Sequence, residues 1–152
     1  LAKEATKLYN EKQGKHVADH PDRYKQDLVC DDHLLECEVK LVWKGQEFPY
    51  DTVQLPQRKQ KFFDTSTQFY IWNSTLSRAA TFWSDDIKDL EPVEVPNKYV
   101  YSGEYFFQVP LDLVTFVDLE HELELPNDEQ RRSNAHTKNL DETTESFGQQ
   151  KI

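Results

Sequence analysis

Residues 1–14 read LAKEATKLYNEKQG, and they carry the pattern that is most informative about the fold. Small or apolar side chains recur in this stretch at spacings typical of one helix face: Ala2, Ala5, Leu8 and Tyr9. Gly14 stands where such a helix would end. A helix with one apolar face has to bury that face, so the segment predicts a helix that packs on the sheet formed by the following residues.

The segments that follow have the features of strands. Residues 35–43 and 117–125 alternate between apolar and charged side chains, which is the period of a half-buried strand. Residues 48–55 predict a short edge strand limited by prolines, and the Tyr- and Phe-rich residues 99–109 predict another strand. The aromatic residues 61–72 are compatible with either a strand or a helix. The chain is therefore expected to be rich in β-structure.

A second helix is predicted over residues 76–90. Apolar side chains there fall at spacings of three and four: Leu76, Ala79, Ala80, Trp83, Ile87 and Leu90. Asn73 or Ser74 would cap the start of this helix, and Pro92 follows its end. Trp83 is the expected centre of the buried face.

Residues 127–152 differ in composition from the rest of the chain. Only four of them are apolar: Ala135, Leu140, Phe147 and Ile152. Such a segment buries too little apolar surface to order itself, so a flexible polar tail is expected there. Residues 1–126 are then one globular α+β domain, in which an antiparallel sheet packs against two helices.

The pattern A-x-x-A-x-x-x-Y-N in residues 2–10, followed by strands, resembles the first helix of cystatin-like domains. The order helix, strands, helix, strands is also similar to latexin-like proteins, which repeat a helix-plus-sheet unit. The resemblance implies a cystatin-like scaffold, with a duplicated unit as one version. A single curved sheet around two helices, which could enclose an apolar pocket, is the alternative.

The resemblance does not extend to the motifs with which cystatins inhibit cysteine proteases. Gln54 and Gln108 are not part of a Q-x-V-x-G hairpin, because no glycine follows at that spacing. No proline precedes Trp43, Trp72 or Trp83, so the Pro-Trp hairpin is missing as well. The scaffold is therefore implied without inhibition of papain-type proteases.

Charge and motif content narrow the function further. A net charge of −10 argues against a nucleic-acid partner, and no apolar run is long enough for a membrane span. The isolated glycines form no nucleophile elbow, phosphate-binding loop or dinucleotide fingerprint. We expect no cofactor, no catalytic residues and a protein that is not an enzyme, with a hydrolase using two acids as a third alternative.

Three features indicate an extracellular location. Cys30 and Cys37 flank a predicted turn at residues 31–33, where a disulfide could join two neighbouring strands. Asn73 begins an Asn-Ser-Thr acceptor for glycosylation. The chain contains no methionine and begins at Leu1, which a removed signal peptide would explain. A secreted, acidic glycoprotein is expected.

Two polar groups have metal-ligand character. His16 and His20 are four residues apart, but Gly14 and Pro21 interrupt any helix that would bring them together, so a solvated loop is expected. An acidic series could bind a cation or a basic surface, although a solvated sheet face is the simpler interpretation: Asp118, Glu120, Glu122 and Glu124. No metal site is predicted.

The aromatic residues are the remaining resource for binding. The candidates for contact with a ligand or partner are Phe69, Trp72, Tyr99, Tyr101 and Tyr105. The sequence predicts a secreted, non-enzymatic binding protein that acts through a protein partner as an inhibitor or modulator. The alternative is a carrier of an apolar small molecule in a pocket between sheet and helices. An internal cavity would favour the carrier, and a solid core with an exposed apolar patch would favour the protein partner.

Overall fold

The computed structural model describes residues 1–96 and 103–119. The predicted tail and the candidates Tyr99 and Tyr101 lie outside the described residues. The helices are α1 (Ala2–Lys12), α2 (Ser84–Ile87) and two 3-10 turns over Gln57–Phe62 and Leu111–Leu113. The strands are β1 (Val17–Asp19), β2 (Leu28–Cys30), β3 (His33–Val39), β4 (Thr52–Pro56), β5 (Thr67–Trp72), β6 (Arg78–Trp83), β7 (Val93–Val95), β8 (Glu104–Pro110) and β9 (Thr115–Asp118).

These strands form two sheets in a mixed α and β fold. The larger sheet has the order β1-β2-β3-β5-β6-β9, and the smaller sheet has the order β4-β8-β7. β3 and β5 pair in parallel, whereas the other pairs are antiparallel. The prediction of an antiparallel sheet is thus wrong at one pair. The reason is that residues 40–66 cross over between β3 and β5, contributing β4 to the smaller sheet on the way.

The larger sheet is buried on both faces. Tyr70 and Trp72 of β5 belong to a core cluster with the residues of α1, while Phe69 and Ile71 point into a second cluster shared with the smaller sheet. All four side chains are at most 2% exposed. Because side chains alternate along a strand, an apolar run without polar positions is what a strand covered on both faces requires. This accounts for the ambiguous pattern of residues 61–72.

Helix α1 is tied to the larger sheet by buried polar side chains. The indole Nε1 of Trp72 donates to Thr6 Oγ1 at 2.9 Å, and Thr6 Oγ1 donates to the carbonyl of Ala2 at 2.7 Å. Asn10 Nδ2 donates to Tyr70 Oη at 3.2 Å. Thr6 and Asn10 are fully buried, and burial raises the pKa of Tyr70 to about 12. The polar side chains on the inner face of α1 are therefore the partners of the indole and phenol groups of β5.

A buried ion pair holds the 3-10 turn Gln57–Phe62 against the opposite face of the larger sheet. The ammonium group of Lys59 contacts the carboxylate of Glu36 on β3. Glu36 Oε1 also accepts a hydrogen bond from the amide of Asp27 at 3.2 Å. Burial raises the pKa of Glu36, and Lys59 opposes this shift. The carboxylate is thus satisfied by one charged and one backbone donor.

The predicted second helix over residues 76–90 is wrong. Arg78–Trp83 is strand β6, which pairs with β5 and β9, and only Ser84–Ile87 is helical. Leu76 has a φ of 59°, which a right-handed helix cannot contain, and it lies in the turn between β5 and β6. Ala79 faces α1 and Ala80 faces the smaller sheet. The spacing that predicted one buried face of a helix therefore results from burial of both faces of a strand.

Trp83 is consequently not the centre of a buried helix face. It ends β6 opposite Gln68 and is only partly buried. Its ring lies 4.6 Å from the ring of His33. The residue at the corresponding central position of the core is Trp72, which is fully buried.

The other strand predictions differ mainly in their limits. The edge strand expected at residues 48–55 is confirmed as β4, an edge of the smaller sheet. The strand expected at residues 99–109 is β8, which begins at Glu104, and residues 99–102 lie outside the described part of the chain. The strand expected at 117–125 is β9, which begins earlier and ends at Asp118, and residues 120–125 are not among those described.

Separate exchanges of Trp72 and Trp83 for phenylalanine test this assignment. Trp72→Phe leaves Thr6 Oγ1 without its donor and opens space in a closed core, so we expect a loss of about 2 kcal/mol in the free energy of unfolding. Trp83→Phe should cost less than about 1 kcal/mol because its site borders solvent. Urea unfolding of both variants measures the difference. A larger loss for Trp83→Phe than for Trp72→Phe would contradict the strand assignment of residues 78–83.

Candidate functional site

The aromatic residues proposed for binding do not form a common surface. Phe69 and Trp72 are at most 1% exposed and belong to opposite core clusters. Tyr105 is 49% exposed on β8, opposite Glu94 of β7. Phe69 and Trp72 are therefore core residues, and of these candidates only Tyr105 is exposed among the described residues.

Asn73 is a structural residue of the turn between β5 and β6. Its side chain is fully buried, and Nδ2 donates to the carbonyl of Gly45 at 2.9 Å and to Ser77 Oγ at 3.0 Å. Its Oδ1 accepts from the amides of Ser77 and Arg78. A glycan on Nδ2 would have to displace these contacts, and glycosylation at Asn73 stays a prediction.

The predicted disulfide is wrong as well, because both cysteines are free and buried. The turn after Cys30 is where the sequence predicted it, but the register places Cys30 opposite His33. Cys37 lies four residues further along β3, a separation of about 13 Å. A disulfide needs Cα atoms within about 7 Å. The Cys37 thiol instead donates to Asp27 Oδ2 at 3.7 Å.

The polar groups with metal-ligand character remain apart. His16 is exposed before β1, while His20 Nδ1 accepts the amide hydrogen of Asp22 at 3.0 Å. Asp118 lies 3.7 Å from Arg78 Nε, and the rest of its acidic series lies outside the described residues. Within residues 1–96 and 103–119, no group of three or more His, Cys, Asp or Glu side chains is arranged to hold a metal ion.

Two adjacent exposed apolar residues lie in the turn that follows β3. Leu41 is 72% exposed and Val42 is 59% exposed, although Trp43, the next residue, is fully buried. We name Leu41 and Val42 the apolar tip. Adjacent large apolar side chains that both point into solvent gain nothing from folding, so we take this pair as a candidate contact surface.

Backbone hydrogen bonds hold the apolar tip on both sides. The amide of Lys40 donates to the carbonyl of Trp72 at 2.8 Å, which continues the pairing of β3 with β5. The amide of Trp43 donates to Lys40 at 3.1 Å and closes the turn. The amide of Ser74 donates to the carbonyl of Trp43 at 2.8 Å. The tip is therefore anchored to the ends of two strands of the larger sheet.

An aromatic cluster is formed by residues that follow the apolar tip in the chain. The rings of Trp43 and Phe48 meet edge to face at 5.0 Å, and Phe48 lies 5.5 Å from Tyr50. The indole Nε1 of Trp43 donates to the carbonyl of Glu47 at 3.1 Å. Tyr50 is 42% exposed, and the Lys40 ammonium lies 5.1 Å from its ring. Tyr50 is thus a further exposed aromatic residue, in contact with Phe48 and with Lys40, the residue before the tip.

Sequence reasoning missed this surface because it assigned residues 35–43 to one alternating strand. Leu41 was expected on the buried face with Trp43, whereas β3 ends at Val39 and the alternation stops there. A signal was present in the run Lys40-Leu41-Val42-Trp43-Lys44, in which three apolar residues are contiguous rather than alternating. This break in the alternation was the signal that the half-buried strand ends before Leu41.

Thiol chemistry tests the placement of the cysteines. Burial raises the pKa of Cys37 to about 12 and also raises the pKa of Cys30, so both thiols stay protonated at pH 8. We expect negligible reaction of the native protein with an aromatic disulfide reagent and two reactive thiols after denaturation without reductant. Detection of no free thiol after that denaturation would contradict the structure.

No protein-family model, no curated protein and no solved structure matches this chain. The cystatin-like scaffold consequently stays a prediction that rests on the opening helix and the order of elements. The functional argument rests on the geometry of the described surface alone.

Proposed function

We propose that this protein is a binding module that acts through a protein partner, and that the apolar tip is the centre of its contact surface. One observation carries the proposal. Leu41 and Val42 are both more than half exposed, while the hydrogen bonds of Lys40 and Trp43 fix the turn that presents them. Exposed apolar anchors on a fixed backbone are what a protein interface uses at its core.

The fixed turn matters because association is opposed by the ordering of loops and side chains. A turn that already has its bound conformation loses little conformational freedom on binding. Trp43 contributes to this state because its buried indole packs on Phe48 and bonds to Glu47. Substitutions at the tip should therefore change affinity without changing stability, whereas substitutions at Trp43 should change both.

The residues around the apolar tip suggest the character of the partner surface. Lys40 precedes the tip and Lys44 follows it, in a chain whose net charge is −10. Tyr50 adds an exposed aromatic ring with a polar hydroxyl, 5.1 Å from the Lys40 ammonium. An apolar socket with carboxylates at its rim would complement this arrangement, since charged rim residues set orientation and association rate.

A cystatin-like scaffold with an inhibitor- or modulator-like role remains part of this proposal. It is supported by α1, the opening helix, which packs against the face of a sheet that follows it in the chain. The parallel pair of β3 with β5 is a departure from the antiparallel sheet that the resemblance led us to expect. A duplicated unit has less support, because strand β6 occupies the place of its second helix.

Two earlier expectations have lost part of their basis. The carrier hypothesis required an apolar pocket between helix and sheet, and the contact of α1 with the larger sheet is filled by Leu35, Tyr70 and Trp72. An extracellular location relied on the cysteine pair and on Asn73, which are buried in other roles. A secreted protein stays a prediction that these residues no longer support.

Paired serine substitutions test the proposed surface. We expect Leu41→Ser with Val42→Ser to abolish selection of peptides from a phage-displayed random library on the immobilised protein, because each lost apolar anchor costs about 1–2 kcal/mol of binding. The matched control is Leu1→Ser with Val93→Ser, which removes the same two residue types from other exposed positions. This control should select the same peptides as the parent protein.

The measurement has two parts, so that loss of binding is not confused with loss of folding. Urea midpoints of both double variants should lie near that of the parent protein. Isothermal titration with a selected peptide should then give an affinity for the tip variant at least about tenfold weaker than for the control. Equal affinities in the two variants would overturn the assignment of the apolar tip.

A further inference from the structure

A depression lies at one end of the β3–β5 pair, and the apolar tip lies at the other end. Because β3 and β5 are parallel, Leu34 and Thr65 mark the end where both strands begin, and the tip marks the end where β3 finishes. The depression is a cleft of about 280 Å³. We name it the basal cleft, and the side chains that concern its chemistry are His20, Tyr24, Lys25, Lys61 and Asp64.

Each wall of the basal cleft has a fixed backbone. The first wall belongs to the connection between β1 and β2. The amide of Tyr24 donates to Asp22 Oδ1 at 3.0 Å, and the amide of Lys25 donates to the Asp22 carbonyl at 3.1 Å. In the second wall, Ser84 Oγ contacts the carbonyl of Thr65 at 3.3 Å. The walls belong to segments about 40 residues apart in sequence.

One hydrogen bond joins the two walls. Gln26 Nε2 donates to Thr67 Oγ1 at 2.9 Å, and both residues are at most 3% exposed. The Thr67 hydroxyl also lies 2.9 Å from the carbonyl of Phe62. The cleft is therefore preformed, because its floor is tied to the start of β5.

The polar groups of the basal cleft favour an anion. Neither Lys25 nor Lys61 forms an ion pair with a carboxylate in the part of the chain that the structure describes. His20 Nδ1 accepts the amide hydrogen of Asp22, so the neutral ring carries its hydrogen on Nε2 as a further donor. Asp64 is the one carboxylate of the lining, and Thr65 Oγ1 donates to it at 3.3 Å.

We propose that the basal cleft binds a small organic oxyanion, a carboxylate or a phosphate, through Lys25, Lys61 and His20. The lining contains two lysines and one carboxylate, although the whole chain carries a net charge of −10. Tyr24, also in the lining, is 72% exposed, and the Arg23 guanidinium lies 5.0 Å from its ring, which adds a further positive charge next to the cleft. The volume suits a small molecule rather than a folded partner.

Nuclear magnetic resonance titration of the full chain tests this proposal. Sodium phosphate and sodium benzoate are added separately, with sodium chloride holding the ionic strength constant. We expect saturable shifts of the backbone amides of Lys25, Gln26 and Thr65 with at least one of the two anions. The tighter of the two identifies the oxyanion as phosphate or carboxylate.

Matched variants separate a built site from general attraction of anions. Lys25→Gln with Lys61→Gln should lower the affinity for the anion by about tenfold or more, since each charge-assisted hydrogen bond contributes to affinity. Lys15→Gln with Lys88→Gln changes the net charge equally at exposed positions outside the cleft and should leave affinity within about twofold of the parent. Circular dichroism checks that both variants are folded.

Two results would overturn the proposal: no saturable shift with either anion, or equal affinity in the two double variants. Neither result bears on the apolar tip, because the tip lies at the other end of the β3–β5 pair and its test uses peptides and different residues.

Discussion

The structure depends on burial of strand β5 on both of its faces. Phe69 and Ile71 pack toward the smaller sheet, while Tyr70 and Trp72 pack toward α1. Each face of β5 supplies the apolar surface on which one layer packs, either the smaller sheet or α1. Neither layer could bury its own apolar face without this strand. The buried hydrogen bond from Trp72 to Thr6 adds direction to this packing, because an indole N–H left without an acceptor in a core is costly.

The parallel pairing of β5 with β3 determines where the loops of the molecule lie. Parallel strands begin at one end of a sheet and finish at the other, so the residues that follow β3 and β5 come together. The carbonyl of Trp72 binds the amide of Lys40, and the carbonyl of Trp43 binds the amide of Ser74. A turn with two exposed apolar residues is thereby fixed to the most buried strand of the sheet.

Some of this architecture could be predicted from the sequence. The opening helix, the turn after Cys30 and the edge strand β4 follow from local periodicity and proline placement, which act over a few residues. The second helix could not be distinguished from strand β6. Ala79 and Ala80 belong to the apolar pattern that predicted a helix, and the same residues satisfy a strand that is buried on two faces. Only the partners on both sides decide between these readings.

The candidate surfaces were less predictable than the fold. Leu41 and Val42 are exposed because β3 ends at Val39 and Trp43 turns inward, which is a consequence of tertiary contacts with Phe48 and Phe116. Aromatic content pointed to Phe69 and Trp72, but large aromatic side chains contribute most to stability when they are buried. Asn73 illustrates the same limit. Its glycosylation acceptor can be recognised from three consecutive residues, whereas its burial depends on tertiary contacts.

Amide relaxation measurements by nuclear magnetic resonance test most directly whether the sheet holds the apolar tip rigid before any partner binds. The account predicts order parameters of about 0.85 for the backbone amides of Leu41 and Val42, equal to those of β5. Order parameters below about 0.6 at these two residues would contradict it.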